Sequence, residues 1–480
     1  MNRRIIVHIL GQMMKAEAAL LLLPALVGVI YKEQDLYAFL ITAAGAAALG
    51  FLCDLIRPKT REIYSQEGFV IVALSWVLFS LIGAVPFVIT GAIPNYVDAV
   101  FETVSGFTTT GASILPQVEG LPYSVLFWRS FTHWVGGMGI LVFVMMIAPL
   151  GDSRSIHLMR AEVPGPVVGK VVPKMKNTSL ILYGLYLALT VLEIIFLVCG
   201  DMPFFDAVVH TFGTAGTGGF GIKNASIGGY SAYSQWVITV FMALFGVNFN
   251  VYFLLAIRKV KGAFSCEELR WYLIIMLTSA AIITVNILPM YDTFGESVRH
   301  AAFQVSSIMT TTGFSTTDFD LWPQLSRTIL LTLMFIGACS GSMGGGLKVS
   351  RIILMIRMGK AELRKLRHPR SVNQIRLEGK AMSQETVHGV GVYLILFCAI
   401  AVVTVLILSF DGYDFETNFS GMAACLNNIG PGLSKVGPTL NYSGYSAVSK
   451  IVLTLNMLFG RLEIYPILLL ITPTIWKRRQ

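Results

Sequence analysis

Four short glycine-centred segments interrupt long apolar stretches of this chain. They read Thr108-Thr109-Thr110-Gly111, Gly216-Thr217-Gly218-Gly219, Thr310-Thr311-Thr312-Gly313 and Asn427-Asn428-Ile429-Gly430. Each follows a short amphipathic stretch and precedes another apolar span. Glycine beside small hydroxyl or amide residues lets the backbone leave helical geometry and turn its carbonyls in one direction. Four such loops around one axis would replace the water shell of a dehydrated cation with backbone oxygens. Ordinary surface turns would have no reason to repeat one pattern at the same place in every unit.

The apolar stretches fix the setting. The chain has 480 residues, 55% hydrophobic and 13% charged, with a mean hydropathy of +0.69. Soluble domains carry about 25% charged residues. A bilayer is crossed by about 20 apolar residues in a helix, and residues 69–90, 126–150, 180–199 and 387–410 meet that length. The composition therefore specifies a multi-spanning membrane protein.

The net charge of +9 is not that of a nucleic-acid binder, because Lys and Arg gather in alternate loops. One group is Arg57, Lys59 and Arg61; the next is Arg154, Arg160, Lys170, Lys174 and Lys176; then Arg258, Lys259, Lys261 and Arg270. The largest group runs from 351 to 380, and the last is Lys477, Arg478 and Arg479. This alternation is the positive-inside pattern. It places both termini in the cytoplasm and the four glycine loops toward the outside. Asn2-Arg3-Arg4 before an apolar run resembles a signal peptide, but no clear small-residue cleavage site follows, so a retained helical hairpin is expected. The six cysteines form no CxxC pair, so neither a disulfide framework nor a zinc site is indicated.

Beyond that hairpin a unit recurs four times: apolar span, short re-entrant helix, glycine loop, apolar span. Gly111, Gly219, Gly313 and Gly430 are 108, 94 and 117 residues apart. This spacing fits duplicated membrane units rather than a solenoid. Asp98-Ala99-Val100 recurs as Asp206-Ala207-Val208. The segment 99–109 is about 16 Å long as a helix, half a membrane, and its C-terminal dipole end would favour a cation. The expected divisions are a hairpin over 1–62 and repeats over 63–176, 177–266, 267–382 and 383–480. In the second spans Arg129, Gln235, Arg327 and Lys450 occupy similar places and are expected to snorkel to the outer interface.

At these residues the chain resembles the Trk/Ktr/HKT superfamily of potassium transporters, most closely the membrane subunits of bacterial Trk uptake systems. The motifs are Ser105-Gly106-Phe107-Thr108-Thr109-Thr110-Gly111, Thr310-Thr311-Thr312-Gly313-Phe314 and Asn427-Asn428-Ile429-Gly430-Pro431-Gly432. The resemblance implies an all-α fold of about ten transmembrane helices and four re-entrant pore helices around one pore. It implies K⁺ as the transported ion, a homodimer in the bacterial inner membrane, and a cytoplasmic nucleotide-binding regulatory ring similar to TrkA. The implied ion-coordinating segments are Thr109, Thr110 and Gly111; Thr217, Gly218 and Gly219; Thr311, Thr312 and Gly313; and Asn428, Ile429 and Gly430. In the superfamily a Ser at the first glycine accompanies sodium transport; four glycines here favour potassium. Gly218 departs from the Thr or Ile of the other loops, which leaves the local geometry of the second loop open.

Two further features complete the reading. Residues 337–348 carry Gly344-Gly345-Gly346 and Lys348 inside the third unit's second span. Each interior glycine costs a helix about 1 kcal/mol relative to Ala, and irregular backbone at this depth must be buried or line a cavity. A break is expected there, and the resemblance implies an intramembrane gate. Arg461 lies in the fourth unit's second span, where a charge is costly and usually functional; it is expected to face the pore as a barrier. Glu463, two residues on, would point to a different helix face. Three enzyme-like patterns fail. Gly216-x-Gly218-x-x-Gly221 lacks a βαβ unit. Residues 341–348 resemble a Walker A loop but place Leu347 before Lys348. Ser340 lacks a nearby base, since His133, His210 and His300 belong to the outer halves of their units. No covalent chemistry is expected. Coupling of uptake to Na⁺ or H⁺ is the alternative, with Glu193 as the candidate intramembrane carboxylate.

Overall fold

The computed structural model describes residues 2–56, 65–139, 175–370 and 374–473. Arg57, Lys59, Arg61, Arg154, Arg160, Lys170, Lys174, Lys477, Arg478 and Arg479 lie outside the described residues, as does the latter part of the expected span 126–150. Among the described residues the only strands are Arg376–Leu377 and Lys380–Ala381, a two-residue antiparallel pair. The protein is an all-α polytopic membrane protein.

Helices α1 (Arg3–Ile30) and α2 (Leu36–Asp54) form the leading hairpin. They cross closely because Gly11 and Gly50 face one another: a Cβ on Gly11 would come within 2.7 Å of the Cys53 Cβ. At one end of the hairpin Asp54 gathers Gln12 Nε2 at 3.0 Å, the Lys15 ammonium and His8.

Four units follow. The first comprises α3 (Ser65–Ile89), α4 (Tyr96–Phe107) and α5 (Tyr123–Gly137). The second comprises α6 (Met175–Cys199), α7 (Phe204–Gly216), α8 (Ala232–Phe245) and α9 (Phe249–Ala256), followed by the short α10 (Val260–Phe264). The third has α11 (Glu267–Ile287), α12 (Phe294–Met309), α13 (Gln324–Ile336) and α14 (Val349–Arg367). The fourth has α15 (Gln384–Leu408), α16 (Phe415–Leu426), α17 (Ala447–Arg461) and α18 (Tyr465–Ile471).

The two kinds of span differ. α3, α6, α11 and α15 are continuous and long enough to cross a membrane. α6, α11 and α15 expose Leu187, Ile195, Leu277, Val285, Ile395 and Leu406 outward, as a hydrocarbon-facing surface would. Among the described residues the second spans of the last three units are interrupted. α8 and α9 meet at 91° after three residues. α13 stops at Ile336, where Gly337 has φ +72°, and the helix resumes at Val349. α17 ends at Arg461, and Glu463 and Ile464 then take φ of 55° and 68°. The glycine run announces the third break. The sequence reading did not anticipate the second or the fourth, which lack such a run.

The short helices α4, α7, α12 and α16 hold 12, 13, 16 and 12 residues. Side chains of Asn95, Thr293 and Asp414 cap three of them by accepting N–H bonds from Val97, Glu296 and Thr417. Acids sit in every first turn: Asp98, Asp206, Glu296 and Glu416, where the helix dipole favours them. The opposite ends deliver the chain into the four glycine loops, behind large buried rings. Phe107, for example, meets Phe79 and Trp128 edge-on at 5.6 and 5.9 Å.

Candidate functional site

The four loops have one backbone conformation. Two residues before each reference glycine, Thr109, Thr217, Thr311 and Asn428 have φ of 55°, 56°, 60° and 55°. The glycines Gly111, Gly219, Gly313 and Gly430 have φ of 79°, 78°, 82° and 100°. The residues between, Thr110, Gly218, Thr312 and Ile429, are not left-handed. Each of these donates its N–H backward to the pore helix, to Ser105, Gly213, Ser307 and Ala424, at 2.8 Å in all four cases. Alternating handedness puts successive peptide groups in one sense. These N–H groups are turned back to the pore helices.

A second regularity closes the loops into a ring. A Cβ built on Gly111 would strike the Gly218 carbonyl oxygen; on Gly219, that of Thr312; on Gly313, that of Ile429. On Gly430 it would lie 2.7 Å from the Thr110 carbonyl oxygen. Each glycine therefore abuts the preceding-position carbonyl of the next loop, in the order first, second, third, fourth, first. Both the positive φ and the neighbouring oxygen require glycine here.

Gly218 is explained by His133. A Cβ on Gly218 would collide with the His133 imidazole, which fills the space taken in the other loops by the side chains of Thr110, Thr312 and Ile429. His133 Nδ1 lies 2.7 Å from the Gly106 carbonyl oxygen, and the Phe220 N–H reaches Nε2 at 3.2 Å. A carbonyl only accepts and an amide N–H only donates, so the ring is neutral with its proton on Nδ1. The second loop keeps the backbone geometry of the other three; only the group filling the space behind the loop changes. In the sequence His133 stood out only as a histidine in the outer half of the first unit; the signal for its role was the missing side chain at Gly218.

The polar residues of the second spans do not snorkel. Arg129 is 3% exposed, and its Nε donates to Glu102 Oε1 at 2.5 Å. Glu102 also accepts from the Ile114 N–H at 2.7 Å and the Ser113 hydroxyl at 3.1 Å, just past Gly111. Lys450 Nζ donates to Asp98 at 2.8 Å, joining the fourth unit to the first pore helix. Arg327 bridges Asp320 and Glu416, joining the third to the fourth. Gln235 Nε2 donates to the Tyr230 carbonyl at 3.1 Å. Acids on the pore helices and loops hold Arg129, Arg327 and Lys450 inward, and backbone carbonyls hold Gln235.

Beneath the ring lies the segment between α13 and α14. The Gly345 N–H donates to Thr311 Oγ1 at 2.6 Å, and the Gly346 N–H to the Asn427 carbonyl at 3.0 Å. Lys348 donates to the Gly344 carbonyl within the same turn. Arg461 Nη1 donates to the Met343 carbonyl at 2.9 Å and lies 3.3 Å from Thr109 Oγ1; Nη2 reaches the Gly136 and Gly137 carbonyls at 2.5 and 2.8 Å. Glu463 pairs with Arg351 of α14 at 2.5 Å, not with Arg461. The Arg351–Glu463 pair was not read from the sequence; the two residues are 112 positions apart.

Above the ring is a cavity of about 220 Å³ lined by all four reference glycines. The enzyme-like patterns find no support. Ser340 Oγ meets Ser350 Oγ at 2.5 Å and its N–H meets Glu268 at 2.8 Å. His210 Nδ1 contacts the Asp206 carbonyl and His300 Nδ1 contacts Thr316 Oγ1, at 2.7 and 2.8 Å. None of these partners is Ser340. Glu193 is fully buried on α6.

A family model described as TrkH, cation transport protein, matches residues 34–478. The chain is 37% identical over 487 residues to the Trk system potassium uptake protein TrkH of Salmonella typhimurium, covering 99% of this chain and 100% of that protein. It is 36% identical to the protein of the same name from Escherichia coli K12, with the same coverage. It is also 32% identical to the Trk system potassium uptake protein TrkG of that strain, covering 99% of each. Among solved structures, the crystal structure of the potassium transporter TrkH from Vibrio parahaemolyticus matches with a TM-score of 0.88 and 34% identity, over 99% of this chain and 100% of that one.

Proposed function

Since the chain belongs to the TrkH family of cation transport proteins, we propose that it carries K⁺ into the cell through the ring of four glycine loops. The observation that carries this reading is the cyclic contact of each reference glycine with the next loop's carbonyl oxygen. Such a ring offers inward-facing oxygens in place of water, and its field strength and size select the ion. The coordinating segments are Thr109, Thr110 and Gly111; Thr217, Gly218 and Gly219; Thr311, Thr312 and Gly313; and Asn428, Ile429 and Gly430.

In this reading the segment bearing Gly344, Gly345, Gly346 and Lys348 is the gate. Its hydrogen bonds to Thr311 and Asn427 hold it against the underside of the ring. Arg461 is the barrier below it, a positive charge where a cation must pass. The protein acts as a homodimer in the bacterial inner membrane, termini in the cytoplasm, under a nucleotide-binding ring similar to TrkA.

Ion flux into liposomes holding the purified protein tests this, comparing K⁺, Rb⁺, Na⁺ and Li⁺, with Gly111→Ser in parallel. K⁺ and Rb⁺ flux well above Na⁺, relaxed by Gly111→Ser, is expected; equal flux of all four ions through the unaltered protein would refute the filter. A second reading, uptake coupled to Na⁺ or H⁺, rests on Glu193, a carboxyl group fully buried in α6. It requires flux to stop when the co-ion is withdrawn.

A further inference from the structure

The cavity above the ring is lined by two charged side chains, Arg129 and Lys223, both positive. All its other lining residues are neutral. Arg129 is matched: Glu102 accepts from it at 2.5 Å, and its remaining N–H groups reach the Gly221 carbonyl and Ser113 hydroxyl at 2.9 and 3.0 Å. Its guanidinium also lies 3.7 Å from the Phe220 ring centre. Its charge is held behind the wall.

Lys223 differs. Its ammonium lies 4.1 Å from the centre of the Tyr230 ring. The Tyr230 hydroxyl donates to Asp206 Oδ2 at 2.8 Å, so the ring separates the lysine from that carboxylate. Among the described residues no carboxylate comes within ion-pair distance of Lys223. The nearby Glu119 is occupied by the Asn224 N–H and side-chain amide at 2.8 and 2.9 Å. Asp320 is bound by Arg327. A ring face steadies an ammonium without neutralising it.

We infer that Lys223 is an electrostatic discriminator at the outer mouth, which disfavours divalent cations more strongly than K⁺. The inference rests on the reading of this cavity as the ion's outer approach. The work of bringing an ion beside a fixed charge scales with the ion's own charge. A factor by which Lys223 lowers the local concentration of K⁺ is therefore squared for Mg²⁺, Ca²⁺ or Ba²⁺. A carbonyl ring alone would hold a divalent ion of suitable size more tightly than K⁺ and be blocked by it. A single unmatched lysine above the ring opposes this, at the cost of a modestly weaker affinity for K⁺.

The test uses the full chain expressed in a potassium-uptake-deficient bacterial strain, with Rb⁺ uptake as the readout and external Ba²⁺ as the blocker. Lys223→Gln should lower the Rb⁺ half-saturation concentration about twofold and the Ba²⁺ half-inhibition concentration about fourfold, for one charge partly screened by salt. Lys223→Arg should leave both where they were. A charge series on one variant separates charge from shape. Lys223→Cys, in a Cys199→Ser, Cys398→Ser background because both of those thiols are exposed, is treated with a positively or a negatively charged methanethiosulfonate. The positive reagent should restore both constants, and the negative one should shift them beyond Lys223→Gln. Unchanged constants in Lys223→Gln with flux intact, or equal effects of the two reagents, would overturn the inference. Absence of Rb⁺ uptake by the unaltered, membrane-inserted protein would instead overturn the reading of the cavity as the ion's route.

Discussion

Arg461 Nη1 donates to the Met343 carbonyl at 2.9 Å, so the one charge at the end of α17 is tied directly to the segment that crosses beneath the glycine ring. The same guanidinium holds the carbonyls of Gly136 and Gly137. It thus links three units and, in the proposed reading, presents a positive charge to an ion leaving the ring. Arg461→Ala should raise Rb⁺ flux in liposomes by about fivefold, the effect of removing about 1 kcal/mol of barrier. Arg461→Lys, which keeps the charge and loses the fork, should give a smaller rise. Flux equal to that of the unaltered protein would remove Arg461 from the barrier.

The glycines of the ring should tolerate no side chain. Gly313→Ala forces a left-handed alanine, costing about 1–2 kcal/mol, and pushes its Cβ into the Ile429 carbonyl. The expected result is loss of discrimination between K⁺ and Na⁺ with the protein still inserted, read by ion flux. Gly45→Ala, at a helical glycine with open space around it, serves as the control and should leave flux unchanged.

His133 and Gly218 should behave as one unit. Gly218→Thr alone drives a side chain into the imidazole and should abolish flux. His133→Ala alone leaves the Phe220 N–H without its partner, at about 1–3 kcal/mol, while the Gly106 carbonyl keeps the Thr109 N–H at 3.0 Å. The double variant fills the vacated space with the residue the other loops use. It should therefore recover part of the thermal stability lost in each single variant. Strict additivity in that cycle would show that the two positions do not share the space.

The pair of Glu102 and Arg129 is a stability element behind the first loop. Glu102→Ala leaves a buried guanidinium without its counter-charge, which costs about 3–5 kcal/mol. A lowered melting temperature in detergent is expected. Glu102→Leu combined with Arg129→Met should be less damaging than Glu102→Ala. If Glu102→Ala melts like the unaltered protein, the pair carries no such load.

The basic end of α14 should matter for regulation alone. Residues 364–370 are exposed. Deleting them should abolish any nucleotide-dependent change in flux conferred by a regulatory ring and leave basal flux intact. Gating retained in full would place the ring elsewhere.

Much of this was legible from residue types. The reference glycines were visible because only glycine serves where φ is positive and a neighbour's carbonyl lies against the Cα. The break at 337–348 was visible because three consecutive glycines have no role in a continuous buried helix. What could not be read were contacts set by the cyclic order of the units. Lys450 and Asp98 are 352 positions apart, and nothing local marks them as partners. Arg129, Arg327 and Lys450 therefore read as interface anchors. The break after Arg461 was hidden because Glu463 and Ile464 are poor candidates for left-handed backbone. Tertiary packing imposes that conformation there against local preference.

The four loops share a backbone but not a backing: Thr110, the His133 imidazole, Thr312 and Ile429 fill equivalent spaces. In a ring assembled from four identical chains, any substitution would be copied into every quadrant at once. Here one codon alters one quadrant. Heritable variation can therefore alter the backing of such a ring in quarter-steps, one loop at a time, while the other three keep theirs.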